Sequence, residues 1–304
     1  VRRFVQFWRP SVVFFVESEL WPNMLYYLHE QGIPTYLLNA RCSDKSLSRF
    51  YIAKKLLRLL PFKLFDAVYV SSQSMLEHVK ALGGRTVTLM PSLKTISEKL
   101  PVNPESVAKI KRVIGGRKRW IAVSTHPGEE EIIINVHKLL KAAFDDVMTI
   151  IAVRHPHRVS DVAELCLRYG LVCTLHSSVL QNDISESAND DIYIVDQMGC
   201  LGDFFELVDT VLVCGSLIQN IGGHNFLEPI RFGCNVATGK YFDNFRDVYQ
   251  HVKRECVIAT DTKEICGFVK ESFMHFSRDG RTLTNPDFIE KWEDVVRSIM
   301  NQLS

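Results

Sequence analysis

The chain has 304 residues, 46% hydrophobic and 23% charged, enough for two domains of ordinary globular composition. Its net charge of +1 excludes the strongly basic surface of a general nucleic-acid binder, so an anionic partner has to be met by local clusters. The eight cysteines form no C-x-x-C pair, which argues for reduced, mostly buried thiols and against a zinc site, and no apolar run approaches the ~18 residues needed to span a bilayer.

The chain opens on Val1 rather than Met and enters helix-like sequence at once, Val1–Trp8, so we expect further sequence upstream. Ser11–Val16, Thr35–Asn39, Ala67–Ser71 and Thr86–Met90 then read as strands, with Ser74–Leu82 as a helix between the last two. The first strand runs into Glu17-Ser18-Glu19-Leu20-Trp21-Pro22-Asn23. Two acids beside an aromatic suit hydroxyl binding or proton transfer; the alternative is first-turn acids favoured by a helix dipole. Asn39-Ala40-Arg41 ends the next strand and brings a cation nearby. Ser48–Lys63 is basic and apolar together, and on a helix Lys54, Lys55 and Arg58 fall within about 100° of one another. It reads equally as a membrane-surface helix or as a core-packed helix with a solvated basic face.

Two prolines in Ser97–Pro104 mark a linker, giving domains 1–100 and 101–304. Beyond it, Ile121–Ser124, Met148–Val153, Leu171–Leu175, Ile192–Val195, Thr210–Cys214, Asn235–Ala237 and Cys256–Ala259 read as strands, alternating with helices such as Glu129–Ala143, Ser160–Tyr169 and Asn225–Phe232. The runs are continuously apolar, as in a parallel sheet buried on both faces, and the alternation predicts doubly wound α/β structure. Gln181–Asp191 reads as a surface loop, and Asp287–Met300 as a final helix that packs back across the first domain.

Ligands of open α/β sheets sit at the carboxyl ends of strands, and three ends here carry polar residues. Ser124-Thr125-His126-Pro127-Gly128-Glu129-Glu130 follows one strand; a capping pattern accounts for Ser124, Thr125 and the acids but does not require His126. Arg154-His155-Pro156-His157-Arg158 follows the next and suits an anion or nucleotide, or is a solvated basic loop. Gly222-Gly223-His224-Asn225 opens a helix with Glu228 one turn in, a phosphate cradle with a carboxylate placed for ribose hydroxyls. No G-x-G-x-x-G follows the first strand, which leaves a dinucleotide-dependent enzyme without support.

Taken in order, Glu17–Asn23, Asn39–Ser43, Ser124–Glu130, Arg154–Pro156, Gly222–Pro229 and Asn244–Asp247 resemble the Kdo (3-deoxy-D-manno-octulosonic-acid) transferase family. The resemblance implies an α/β fold of two Rossmann-like domains, the glycosyltransferase-B arrangement, with the N-terminal one incomplete and the active site in the cleft between them. It implies an inverting transfer of Kdo from CMP-Kdo to a lipid A precursor, lipid IVA, with release of CMP and with no metal or cofactor. Arg154, His155 and Pro156 would face the cytosine, Met198 and Gly199 would line the base pocket, and Gly222, Gly223, His224 and Asn225 would hold the phosphate. Glu228 would hold the ribose. Glu17, Glu19 and Arg41 would lie on the acceptor and sugar side, and Ser124, Thr125 and His126 would face the cleft. The family's general base is expected upstream of Val1, and its usual Gly-Asn-Leu-Lys-Phe stretch is here Met90-Pro91-Ser92-Leu93-Lys94-Thr95. The implied setting is a membrane-associated protein, mitochondrial for a plant-like member and on the cytoplasmic face of the inner membrane for a bacterial one. The alternative is a non-catalytic CMP-binding truncated isoform.

Overall fold

A computed structural model describes residues 1–96, 98–181, 190–278 and 286–303. They fall into two compact units, Val1–Ser97 with Asn285–Ser304, and Glu98–Thr284.

The first unit is built on a four-stranded parallel sheet, β1 (Val13–Val16), β2 (Thr35–Ala40), β3 (Ala67–Val70) and β4 (Val87–Leu89), in the order β1-β2-β3-β4. Helices Pro22–Glu30, Asp44–Leu57 and Gln73–Ala81 connect the strands. Leu25 and Leu28, Leu47, and Val79 are their buried anchors, in a core with Leu37, Phe62, Phe65 and Val68. The final helix, Pro286–Leu303, belongs to this unit: Trp292 Nε1 donates to Pro91 O at 2.9 Å, and Ile299 packs with Tyr36 and Ala67.

The segment Ser48–Lys63 is not one helix. It stops at Leu57, where Arg58 takes a left-handed φ of 52° and its N–H returns to Ala53 O and Lys54 O. Leu47 is buried and Phe50 packs edge-on to Phe62 in the core, while Ile52, Leu56 and Leu57 face solvent, so the helix is core-packed on one side and still leaves a second apolar strip exposed.

The second unit carries seven parallel strands: β5 (Arg119–Thr125), β6 (Met148–Val153), β7 (Cys173–Leu175), β8 (Ile192–Val195), β9 (Thr210–Val213), β10 (Asn235–Thr238) and β11 (Cys256–Ile258). Their order is β11-β10-β9-β5-β6-β8-β7. β5, β6, β8, β9 and β10 are buried almost throughout, and the two faces of the sheet pack separate cores. Continuous apolar runs have this cause: each strand has a layer of helices on both sides. From β5 the chain moves one way to β6, and from β9 it moves the other way to β10, so the crevice between the carboxyl ends of β5 and β9 is the topological switch point. Within the Gln181–Asp191 stretch, residues 182–189 lie outside the described residues, and Gln181 closes a helix, His176–Gln181.

Candidate functional site

A cleft of about 280 Å³ opens at that switch point. It is lined by Ser124 after β5, by Ala152, Val153 and Arg154 from β6, by Gln197, Met198, Gly199 and Leu201 after β8, and by His224, Asn225 and Glu228 after β9. Its volume is near the lower end for small-molecule sites. A guanidinium, an imidazole and a carboxylate converge on one concave surface, the donor set that an anionic, hydroxyl-bearing ligand requires.

The loop after β9 is shaped by close backbone packing. A Cβ on Gly222 would fall 2.5 Å from Asn244 Nδ2, and one on Gly223 would fall 2.8 Å from Phe242 Cα. Both glycines have positive φ, and the Gly223 N–H donates to Gly215 O at 2.8 Å. They are glycines because their neighbours leave no room, and they are absent from the cleft lining. The helix that follows is Leu227–Arg231, five residues long and stopped by Gly233 at φ 75°. So short a helix supplies little macrodipole, and Glu228 is its second residue rather than one turn in. Asn225 stands just before the N-cap, Phe226: its Oδ1 accepts from Leu227 N at 3.1 Å and its Nδ2 donates to Glu228 Oε1 at 3.0 Å. Burial pushes the Glu228 carboxyl up, with Asn225 and Arg231 pulling it down.

The loop after β5 also departs from the capping pattern. The N-cap of helix Glu129–Lys141 is Gly128, with no side-chain cap. Ser124 is held at φ 57°, and Thr125 Oγ1 is buried with no hydrogen-bond partner. The residue that organises this corner is Glu129, read from sequence only as a cap. Fully buried, it accepts from Ser216 N (3.1 Å) and Leu217 N (2.9 Å) on Oε1, and from Gly215 N (2.8 Å) and His126 N (3.0 Å) on Oε2. One carboxylate thus pins the loops after β5 and β9 together. Burial pushes it up against the pull of those four N–H bonds. Glu130, also buried, takes Arg158 at 2.8 Å.

His126 meets His224 at 2.8 Å, Nε2 to Nε2. His155 lies edge-on to His126 at 5.8 Å between centroids, and His157 lies parallel to His155 at 5.6 Å. The structure therefore brings the three predicted strand ends together, with Arg154 lining the cleft and His155 and Pro156 behind it.

In the first unit, Glu17 just after β1 and Asn39 at the register shift near the end of β2 take left-handed conformations, φ 61° and 52°. Glu17 Oε1 accepts from Asn39 Nδ2 at 3.4 Å and pairs with Lys94 Nζ at 3.3 Å. The Arg41 N–H donates to Glu17 O at 3.2 Å, and Glu19 Oε2 accepts from Trp21 Nε1 at 2.6 Å. The next helix begins at Pro22 with no acid in its first turn, so the helix-dipole account of these glutamates fails. Lys94 was not among the expected site residues; its signal was a lysine in the polar loop just beyond β4.

Residues 1–97 match the family described as 3-deoxy-D-manno-octulosonic-acid transferase (kdotransferase). The chain is 35% identical over 251 residues to the 3-deoxy-D-manno-octulosonic acid transferase of Rickettsia felis, covering 83% of this chain and 52% of that protein. It is 28% identical over 311 residues to a protein of Arabidopsis thaliana named probable 3-deoxy-D-manno-octulosonic acid transferase, mitochondrial, covering 100% of this chain and 67% of that one. The chain spans about half the length of the Rickettsia relatives. An α,α-trehalose-phosphate synthase from Burkholderia vietnamiensis shares the fold, with a TM-score of 0.56 at 12% identity over 99% of this chain and 74% of that one. With two parallel α/β units, a family match over residues 1–97 and relatives matched along most of its length, the chain is similar to the Kdo transferases.

Proposed function

We propose that this chain takes Kdo from CMP-Kdo and passes it to a hydroxyl of a lipid A precursor, lipid IVA, with inversion and without a metal. The observation that carries this reading is the cleft at the β5/β9 switch point, where Arg154, His224 and Glu228 converge. In it, Met198, Gly199 and Arg154 face the base and its phosphate, Glu228 accepts from the ribose, and His224 with Asn225 faces the phosphate. CMP carries a single phosphate, which an arginine and an imidazole can balance. On the acceptor side, Lys94 pairs with Glu17, and Glu17 and Glu19 orient sugar hydroxyls. The acceptor hydroxyl gives its proton to a general base, its oxygen attacks the anomeric carbon on the face opposite CMP, and CMP leaves with the bonding electrons.

The test is incubation of the chain with CMP-Kdo and lipid IVA, followed by mass spectrometry of the lipid. A product one Kdo heavier is expected, and Glu228→Ala is expected to raise the KM for CMP-Kdo by about tenfold or more, one lost pair of hydroxyl contacts. A chain that neither binds CMP nor modifies the lipid sinks the reading.

The acceptor is a lipid, and Tyr51, Ile52, Leu56, Leu57 and Leu59 are exposed beside Lys54, Lys55 and Arg58. This supports docking of helix Asp44–Leu57 on an anionic bilayer surface. Flotation should recover the chain with anionic but not with zwitterionic vesicles, and Leu56→Ser with Leu57→Ser should abolish recovery. The Arabidopsis relative's name supports a mitochondrial setting.

A further inference from the structure

The imidazoles of His126 and His224 have planes 9° apart and centroids 5.1 Å apart, with 2.8 Å between their Nε2 atoms. That centroid separation is close to the N···N distance plus two ring radii, so the rings lie end to end and the hydrogen bond between them is near linear. A neutral pair holds one Nε2–H and one Nε2 lone pair. One added proton can go to Nδ1 of the donating ring and leaves the bond in place, now charge-assisted. A second would set two N–H groups head to head and break it. The geometry therefore admits two charge states, 0 and +1. Its seat is specific: a Cβ on Gly215 would fall 2.8 Å from His224 Nε2.

Among the described residues, the charged and titratable groups around His126 are His155, Glu130, Arg158 and Arg154, and those around His224 are His126, Arg154 and His155. His224 lines the cleft beside Arg154, and His126 stands behind it. We propose that the His126–His224 pair is a proton-loaded counter-charge for the nucleotide phosphate: it is neutral in the free protein and takes up one proton when the anion enters the cleft. This rests on the donor-site reading above. Burial, with the neighbouring cations, holds both rings low in the free protein, His224 at about 4. A phosphate against His224 favours the charged state. Because the value rises on binding, CMP binding consumes a proton, and affinity falls as pH rises between the free and bound values, by up to about tenfold per pH unit.

The experiment is calorimetry of CMP binding to the 304-residue chain in buffers of low and high ionisation enthalpy at pH 7, where the CMP phosphate is mainly a dianion. An adjacent opposite charge raises such a value by about 1 to 3 pH units, so we expect uptake of up to about 0.5 proton per CMP, weaker binding at pH 8 than at pH 7, and imidazole ¹⁵N shifts that move toward the imidazolium position on saturation. His126→Gln and His224→Gln should bind CMP without the uptake, a readout that loss of packing alone does not move. CMP bound with no proton uptake and unchanged imidazole shifts overturns the proposal while leaving the donor site standing, as does the same uptake in both variants. No CMP binding at any pH overturns the donor-site reading and this inference together.

Discussion

Glu129 shows how one side chain can set a site it does not line. Each of its carboxylate oxygens faces two backbone N–H donors. Gln is nearly isosteric, yet whichever way its amide turns, an NH₂ group meets two donors and leaves them buried and unpaired. We therefore expect Glu129→Gln to cost about 3 kcal/mol in denaturant-determined stability, and to weaken CMP binding more than a comparably destabilising change deep in the core. Equal binding loss in both would show that the carboxylate only holds the fold. The sequence pattern made this residue look like an ordinary cap, since a Glu at the start of a helix is usually that; three of its four partners lie 86 to 88 residues away, a separation that no local spacing reveals.

At the scale of elements, the strands were legible and several helices were not. Each of the eleven strands among the described residues overlaps an apolar run recognised in the sequence, and the central ones, β5, β6, β8, β9 and β10, are buried on both faces and so have almost no polar positions to blur their edges. The helix after Gly223 was harder: apolar periodicity runs through Phe232, but Asn225 stands before the N-cap and Gly233 ends the helix early. Ser48–Lys63 misled for a related reason, since an arginine in a left-handed cap ends a pattern that composition alone would continue. Helix Leu201–Leu207 offers a test of element packing. Gly202 in it faces the chain at Pro101, where a Cβ would fall 2.1 Å from the Pro101 carbonyl oxygen, and the adjacent Asp203 accepts from Asn103 N at 2.7 Å. In an exposed helix, Gly→Ala stabilises by about 1 kcal/mol. Here the contact reverses the sign, and Gly202→Ala should lower stability by roughly 2 kcal/mol. A raised melting temperature would show that the backbone yields at no cost.

At the scale of the molecule, the cleft, the paired histidines and the Glu129 clamp all lie within Glu98–Thr284, which has its own two cores. Expressed alone, residues 98–284 should bind CMP within about threefold of the whole chain, under 1 kcal/mol, while transferring no sugar; a far weaker affinity would mean that donor recognition draws on the other unit. Across both units, Glu17, Asn39 and Ser124 share one trait: each sits at the carboxyl end of a strand, Asn39 and Ser124 at a register shift one residue before its end, in a conformation that glycine adopts freely and that costs any other residue of order 1 kcal/mol or more. A selection for heat tolerance blind to catalysis would drift toward glycine at these three positions, and a lineage that still carries side chains there has been paying an upkeep that folding never asked for.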